Sequence, residues 1–303
     1  MIPAPYAGPI ENVVVVMFER RSYGAVLDAL EAAMMPITSF LARQFMLCDG
    51  WVVASPGPRA NMLTANCAAF GDAGGGVVDL EPNLFSALDA ARGTRLGARG
   101  TPVPNWKVYF HDYSILGNAL AYVARCYGDF ANLNVANYDE WDYPPGACNP
   151  LAAPTTTFLQ DVAQGVLPAY AFIEPRHGNG QWDAPRDEFS GEQLLLEVYL
   201  ALRHSRYWER TLLLVTYDAA GKDDDRVPAI VISPYVDQGS TLRADVPFNH
   251  ASIVKTVWHC FDLHAGDRAG INDLDENAPS LLDHLCSSVV NSPSGDPREP
   301  AAR

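Results

Sequence analysis

Two acidic residues stand just beyond two strongly apolar segments of the chain. Glu19 follows the run at residues 13–17 by two positions, and Asp218 follows the run at residues 212–216 by the same interval. In an open α/β sheet, ligands bind beyond the carboxyl ends of the strands, where a pair of carboxylates can transfer protons or hold a cation. Either residue alone is more simply a solvated loop carboxylate. Because the two occupy equivalent positions, they indicate a shared site.

The apolar runs before these acids predict the strands that must position them. Residues 13–17, 212–216 and 229–232 are rich in β-branched residues or leucine. Unbroken apolar runs of this kind are typical of strands that are buried on both faces of a parallel sheet.

Helical periodicity alternates with these strands. Apolar residues recur at intervals of three and four in residues 191–203, and residues 251–261 and 279–285 are further helix candidates. The alternation predicts an α/β protein with a mostly parallel central sheet and helices on both faces. We expect a single domain over residues 1–291 and a flexible tail at 292–303.

The chain is strongly acidic. Its 303 residues include 21 basic and 36 acidic residues, for a formal net charge of −15. This balance excludes a basic surface for nucleic acid, and a site for an anionic substrate must be built from local cations. No window approaches the roughly 20 apolar residues of a membrane span, and residues 1–9 carry no export leader, so we expect a cytoplasmic protein.

The segment around Glu19 resembles a known family. Residues 10–24 read IENVVVVMFERRSYG. This segment resembles the opening IEHVVVLMxENRSFD of the phosphoesterase family, which contains bacterial phospholipases C, plant non-specific phospholipases C and certain acid phosphatases. Further segments match the family in order, at residues 45–51, 55–58, 105–109, 167–175, 190–193, 216–218, 226–234 and 249–252. The resemblance implies an alkaline-phosphatase-like α/β fold, in agreement with the predicted strands and helices.

The resemblance also implies a metal site, from which this chain departs. Family members place a metal ion beside a Thr or Ser nucleophile, with ligands mainly from the Glu-Asn of ENRSF and the acidic pair of DEHG. Glu19 and Asp218 keep the first residue of each pair. The Asn position is Arg20, and Ala219 and Ala220 replace the Glu-His that follows the aspartate.

The nucleophile and its surroundings differ as well. The nucleophile position falls on Arg59, and a guanidinium keeps its proton and cannot attack phosphorus. Asn61 is the nearest match to a family asparagine, and the histidine of the family's DxHP segment falls on Ala184. The long loop that follows DEHG is shortened to Lys222 and the aspartates 223–225.

These replacements favour an anion site in place of the metal. Guanidinium groups repel a divalent cation but bind phosphate or carboxylate bidentately. We therefore predict that Arg20, Arg59 and Lys222 bind an anionic substrate and that no cofactor is needed. Two alternatives stay open: drift in a site that has lost its function, and a metal site rebuilt around the aspartates 223–225.

Three polar residues complete the predicted site. His250 matches the histidine of the family's DHTS segment and could act as a general acid or base, although a structural role at a helix start is an equal alternative. Asn61 and His177, the latter in a polar loop, are predicted substrate contacts.

The leading hypothesis is a diverged enzyme of this family that acts on a small phosphate- or carboxylate-bearing molecule. Glu19, Asp218 and His250 would transfer protons in an elimination, cyclisation or isomerisation. A first alternative keeps metal-dependent phosphoester hydrolysis, with Glu19 and Asp218 holding a divalent metal. A second is a non-catalytic binding protein on the same fold, and the oligomeric state stays open.

Overall fold

The computed structural model describes residues 7–31, 34–55, 57–70, 75–93, 95–96, 100, 102–110, 114–127, 135–137, 157–175, 185–220, 225–243, 245–263, 271, 273–293 and 297. The strands within these residues are β1 Asn12–Phe18, β2 Met46–Cys48, β3 Trp51–Val52, β4 Arg95–Leu96, β5 Pro102–Val103, β6 Trp106–Phe110, β7 Val135–Asn137, β8 Tyr170–Glu174, β9 Thr211–Tyr217, β10 Ala229–Ile232, β11 Thr241–Leu242 and β12 Phe248–Asn249. The α-helices are α1 Tyr23–Glu31, α2 Pro36–Gln44, α3 Pro58–Cys67, α4 Leu84–Ala91, α5 Ile115–Ala119, α6 Ala121–Tyr127, α7 Phe158–Gln164, α8 Pro185–Arg203, α9 Ala251–Cys260 and α10 Asp273–Glu276.

Eight of the described strands form one sheet in the order β11-β2-β10-β9-β1-β8-β6-β7. β1 pairs in parallel with β9 on one side and with β8 on the other, while β10 runs antiparallel to both β9 and β2. Every residue of β1, β9 and β10 is buried, because both faces of the sheet centre are covered. The predicted strands and the mostly parallel α/β sheet are confirmed.

The helices pack in two groups within the described chain. α8 packs against α2 and α7, while α3 packs against α9, α5 and α4. Two of the three predicted helices are confirmed, since residues 191–203 lie within α8 and residues 251–260 form α9.

The third predicted helix, at residues 279–285, is wrong in type and length. Only a 3₁₀ turn forms there, at Leu281–His284. The hydroxyl of Thr256 on α9 accepts the N–H of Leu281 at 3.0 Å, and the carbonyl of Tyr235 accepts the N–H of Cys286 at 2.8 Å. The bond from Cys286 takes a backbone N–H that would otherwise close the last turn of an α-helix over residues 279–285, whereas the N–H of Leu281 has no partner within such a helix and is satisfied by Thr256.

A buried ion pair ties the sheet to α7. Lys107 Nζ on β6 lies 2.7 Å from Asp161 Oδ2, and the hydroxyl of Tyr109 donates to the same oxygen at 2.5 Å. Burial lowers the pKa of Lys107 and raises the pKa of Tyr109. Both donors approach one carboxylate, so this network depends on the charge of Asp161.

Two further expectations concern the flexible C-terminal tail and the lack of a membrane-spanning segment. Most of the predicted tail, residues 294–296 and 298–303, lies outside the described residues. Among the helices of the described chain, none combines the length and the apolar character that crossing a membrane requires.

Candidate functional site

The carboxyl ends of β1 and β9 meet at the predicted place. Phe18 and Tyr217 lie opposite each other in the parallel ladder, and the N–H of Asp218 donates to the carbonyl of Phe18 at 2.8 Å. Glu19 and Asp218 therefore follow adjacent strand ends, as their spacing in the sequence predicts.

Asp218 shapes the turn after β1. The side chain of Asp218 is fully buried, and its Oδ1 accepts the backbone N–H of Arg20 at 3.0 Å. Arg20 has a φ of +38°, in the left-handed region that an arginine rarely adopts. The hydrogen bond to Asp218 holds this strained residue in place, while the Arg20 side chain is exposed.

The segment after β9 is held from two other elements. Nδ2 of Asn61 on α3 donates to the carbonyl of Asp218 at 2.7 Å, and Nε2 of His250 lies 2.9 Å from the carbonyl of Tyr217. Both side chains are fully buried. The backbone that carries Asp218 is therefore fixed by β1, by α3 and by the start of α9.

Asn61 is placed as a positioning residue. Its Oδ1 accepts the N–H of Ser55 at 2.8 Å, and its Nδ2 also donates to the carbonyl of Ser55 at 2.5 Å. The amide thus joins the loop before α3 to the end of β9. Among the described residues Asn61 is fully buried, and its substrate contact stays a prediction.

His250 is buried beside the end of β9. Its imidazole packs edge-on against Trp51, with ring centroids 6.2 Å apart. Burial lowers the pKa of His250 to about 4, since the charged ring would lose its hydration. Because the Tyr217 carbonyl can only accept a hydrogen bond, Nε2 carries the proton of the neutral ring. Nδ1 is then the unprotonated nitrogen, and it has no hydrogen-bond partner in the described structure. The structural role at a helix start fits this position, and a general acid at neutral pH does not.

An open cavity of about 380 Å³ lies above the turn. Glu19, Arg20 and Arg59 line it together with Ile115 and Asn118 of α5. Two cations and one carboxylate thus share one cavity in a protein of net charge −15. The structure brings Glu19, Arg20 and Arg59 together, whereas Asp218 and His250 lie beneath them.

The guanidinium of Arg59 is oriented by backbone carbonyls. Its Nη2 donates to the carbonyl of Gly76 and lies 3.5 Å from the carbonyl of Ala119. Its Nε is buried and has no hydrogen-bond partner among the described residues. Arg59 is therefore held in one orientation with donor capacity that these neighbours do not use.

The wall formed by α5 depends on a third carboxylate at a strand end. Glu174, the last residue of β8, is fully buried and accepts from the hydroxyl of Ser114 at 2.9 Å and from the N–H of Ile115 at 2.5 Å. We did not predict this role. The criterion that selected Glu19 and Asp218, an acid at the end of a buried apolar strand, would have found Glu174.

Several predicted site residues lie outside the described structure. They are His177, Lys222 and the aspartates 223 and 224. Their roles stay predictions.

The described residues do not fit a divalent cation at the place the resemblance implies. Within the described part of the chain, no group of three or more His, Cys, Asp or Glu side chains converges. One oxygen of Asp218 already accepts a backbone N–H, the next residue is Ala219, and Arg20 stands at the family's asparagine position. Mg²⁺ and Ca²⁺ take six or more oxygen ligands and Zn²⁺ usually takes four N, S or O ligands, and a neighbouring guanidinium opposes any of these cations.

Solved structures with a similar fold define the class. A protein of the alkaline phosphatase superfamily from Vibrio parahaemolyticus superposes with a TM-score of 0.54 at 11% identity, over 92% of this chain and 72% of that one. The phosphonate monoester hydrolase of Agrobacterium radiobacter superposes with a TM-score of 0.58 at 13% identity, over 94% and 78%. The chain therefore shares the overall fold of these two proteins.

The sequence then places the chain within that class. The model of the Phosphoesterase family matches residues 10–264, and the chain belongs to this family. The resemblance seen in residues 10–24 and in the later segments is confirmed.

Plant phospholipases are among its relatives. Non-specific phospholipase C5 of Arabidopsis thaliana is 24% identical over 312 aligned positions, covering 86% of this chain and 53% of the relative. Non-specific phospholipase C4 is 26% identical over 288 positions, covering 79% and 48%. Non-specific phospholipase C6 is 31% identical over 148 positions, covering 35% and 28%. The chain thus spans about half the length of the relatives that align along most of it.

Proposed function

We propose that this member of the Phosphoesterase family binds a small phosphate- or carboxylate-bearing molecule between Arg20 and Arg59 and converts it by acid–base chemistry at Glu19, without a metal ion. The observation that carries the proposal is the convergence of these three side chains on one cavity at the carboxyl ends of β1 and β9. This edge is where parallel α/β sheets bind their ligands.

The two arginines supply the charge that an anion needs. Together with Glu19 they give the described residues of the cavity lining a formal charge of about +1, in a chain whose total is −15. A guanidinium can donate two parallel hydrogen bonds to one phosphate or carboxylate. Arg59 is already oriented by the carbonyls of Gly76 and Ala119, so its binding geometry needs little reorganisation.

Glu19 is the carboxylate of the pair that reaches the cavity, whereas Asp218 is buried beneath it. In an elimination, Glu19 would accept the proton of a C–H bond. The electron pair of that bond would form the new double bond, and the leaving group would depart with its own bonding pair. Asp218, Asn61 and His250 then act as positioning residues that fix the turn carrying Glu19 and Arg20.

Anion binding is tested first, by isothermal titration calorimetry with inorganic phosphate at low ionic strength. We expect Arg20→Gln and Arg59→Gln each to weaken phosphate binding at this cavity about tenfold, the loss of one charged hydrogen-bond donor set. Arg125→Gln is the matched control, because Arg125 is exposed and pairs with Asp79 at 3.9 Å on the surface. If the two variants and the control bind phosphate with equal affinity, the proposed anion site is refuted.

A second function is favoured by the family membership and by the phospholipase C relatives: metal-dependent hydrolysis of a phosphoester. Metal analysis of the purified protein, with assays on p-nitrophenyl phosphate and phosphorylcholine in the presence and absence of a chelator, separates it from the first. A tightly bound divalent ion, with hydrolysis that is lost on chelation and in Glu19→Gln, would establish the second function and refute the first. If the protein binds phosphate but shows no turnover that is lost in Glu19→Gln, the remaining explanation is a non-catalytic binding protein.

A further inference from the structure

A second open cavity, of about 370 Å³, lies at the opposite edge of the sheet. Glu11, just before β1, and Arg210, just before β9, line it with Arg95 and Arg206. β1 has seven residues, which at about 3.3 Å per residue separates this edge from the Glu19 turn by roughly 20 Å. It is therefore distinct from the cavity of the proposed function.

The described residues that line this second cavity carry a net positive charge. Three arginines line it, and Glu11 is the one carboxylate among the described lining residues. Arg210 pairs with Glu11 at 3.2 Å, with both side chains more than half exposed. The formal charge of the described lining is thus about +2, in a chain whose total is −15.

Arg206 and Arg95 differ in how their donors are used. Nη2 of Arg206 donates to the carbonyl of Gly165 at 2.6 Å, and its guanidinium stacks on the ring of Tyr207 at 5.2 Å. Nη1 of Arg95 is buried and has no hydrogen-bond partner among the described residues. Arg95 as a whole is only partly buried, so its guanidinium has further N–H donors besides this buried one, and an anion in the cavity can accept hydrogen bonds from those.

A second positive charge, that of Arg92, lies next to Arg95 and would also be offset by an anion. Arg92, three residues earlier, stacks on Phe261 at 4.8 Å, and its Nε is also buried without a partner in the described structure. Burial, and then repulsion by Arg95, lower the pKa of Arg92. The region around Arg95 therefore holds two guanidinium groups that repel each other.

The apolar surface of the cavity comes mainly from one residue. Leu96, Val103 and Leu167 are the aliphatic lining residues, but Leu167 is fully buried and Val103 is 5% exposed, so Leu96, at 67% exposed, presents the apolar surface. The cavity volume lies within the range of about 300–1,000 Å³ that is typical of small-molecule sites.

We propose that this arginine-lined cavity binds a phosphate monoester with a short alkyl arm. The phosphate accepts hydrogen bonds from Arg95 and Arg210, and the alkyl arm lies along Leu96. The site is separate from the proposed active site, so it serves binding or regulation and not the reaction at Glu19.

The test is calorimetric titration of the full chain with hexyl phosphate and with inorganic phosphate. We expect hexyl phosphate to bind at least tenfold more tightly, because its alkyl arm leaves water. Arg95→Gln is expected to weaken hexyl phosphate binding about tenfold. Absence of binding at millimolar hexyl phosphate, or equal affinity in Arg95→Gln and in the surface control Arg125→Gln, would overturn the proposal.

Two exposed positions keep the test informative if Arg95→Gln destabilises the fold. Arg210→Gln is expected to weaken binding several-fold. Glu11→Gln is expected to strengthen it several-fold, because it removes a negative charge and releases Arg210 from its ion pair. A cluster with a merely structural role predicts no change in either variant.

Crossing the variants separates this site from the proposed function. Arg59→Gln is expected to leave hexyl phosphate binding at Arg95 unchanged, and Arg95→Gln to leave the phosphate site at Arg20 and Arg59 unchanged. Loss of hexyl phosphate binding in Arg59→Gln would overturn the second site while leaving the first intact.

Discussion

His250 is expected to make the stability of the fold sensitive to acid. The imidazole is fully buried, its Nε2 bonds to the carbonyl of Tyr217 at 2.9 Å, and burial lowers its pKa to about 4. In the unfolded chain a histidine binds its proton near pH 6.5. Between these values the unfolded state binds more protons than the folded state, so stability falls as the pH falls through this window.

The size of the effect follows from the two pKa values. Between pH 7 and pH 5 the difference in proton binding removes about 2 kcal/mol of stability. Below pH 4 the loss levels off at about 3 kcal/mol. Against a typical total of about 5–15 kcal/mol, this is a measurable fraction of the free energy of unfolding.

The assay is urea unfolding of the wild type and of His250→Gln at a series of pH values from 7.5 to 5. Glutamine has no titratable group, and its amide N–H can still donate to the Tyr217 carbonyl. We expect the variant to lose about 2 kcal/mol less than the wild type between pH 7 and pH 5. His204→Gln, at an exposed position after α8, is the control and should follow the wild type. Parallel pH profiles for wild type and His250→Gln would refute the buried, neutral histidine.

Three further predictions concern single contacts, each measured by urea unfolding. Gly165→Ala is expected to destabilise by about 1–2 kcal/mol, because φ is +76° and the new Cβ would meet the guanidinium of Arg206; an unchanged midpoint would contradict this. Asp161→Asn is expected to cost about 3–5 kcal/mol, since it removes the carboxylate charge that faces the buried ammonium of Lys107. Glu11→Gln, at an exposed pair, should cost less than about 1 kcal/mol. Similar losses of stability in these two variants would show that burial does not determine how much each ion pair contributes. Asn61→Ala is expected to cost about 1–3 kcal/mol, because backbone groups of Ser55 and Asp218 would lose their hydrogen-bond partner. A variant as stable as the wild type would refute the positioning role of Asn61.

The central strands could be predicted because their signal is local. A strand that is covered on both faces needs apolar residues at consecutive positions, and β1, β9 and β10 have them. The 3₁₀ turn at Leu281–His284 could not be predicted in the same way. Its backbone groups bond to Thr256 and Tyr235, whose proximity is a property of the folded chain.

The family, the buried strands and the positions of Glu19 and Asp218 after two of them could be inferred from the amino-acid sequence alone. These features depend on residue types in short segments and on their order along the chain. They bring the two acids to one edge of the sheet, but they do not say which side chain reaches a ligand.

Which of these side chains is exposed and which is buried at that edge follows from the packing of distant elements. Asp218 bonds to the N–H of Arg20 across 198 positions of sequence, and Asn61 bonds to the carbonyl of Asp218 across 157. His250 reaches Tyr217 from α9, while Arg59 comes from α3 to the cavity that Glu19 and Arg20 line. Burial and hydrogen-bond partners are set by elements that are distant in sequence, so the exposure of each site residue is fixed only when the sheet and its helices pack together.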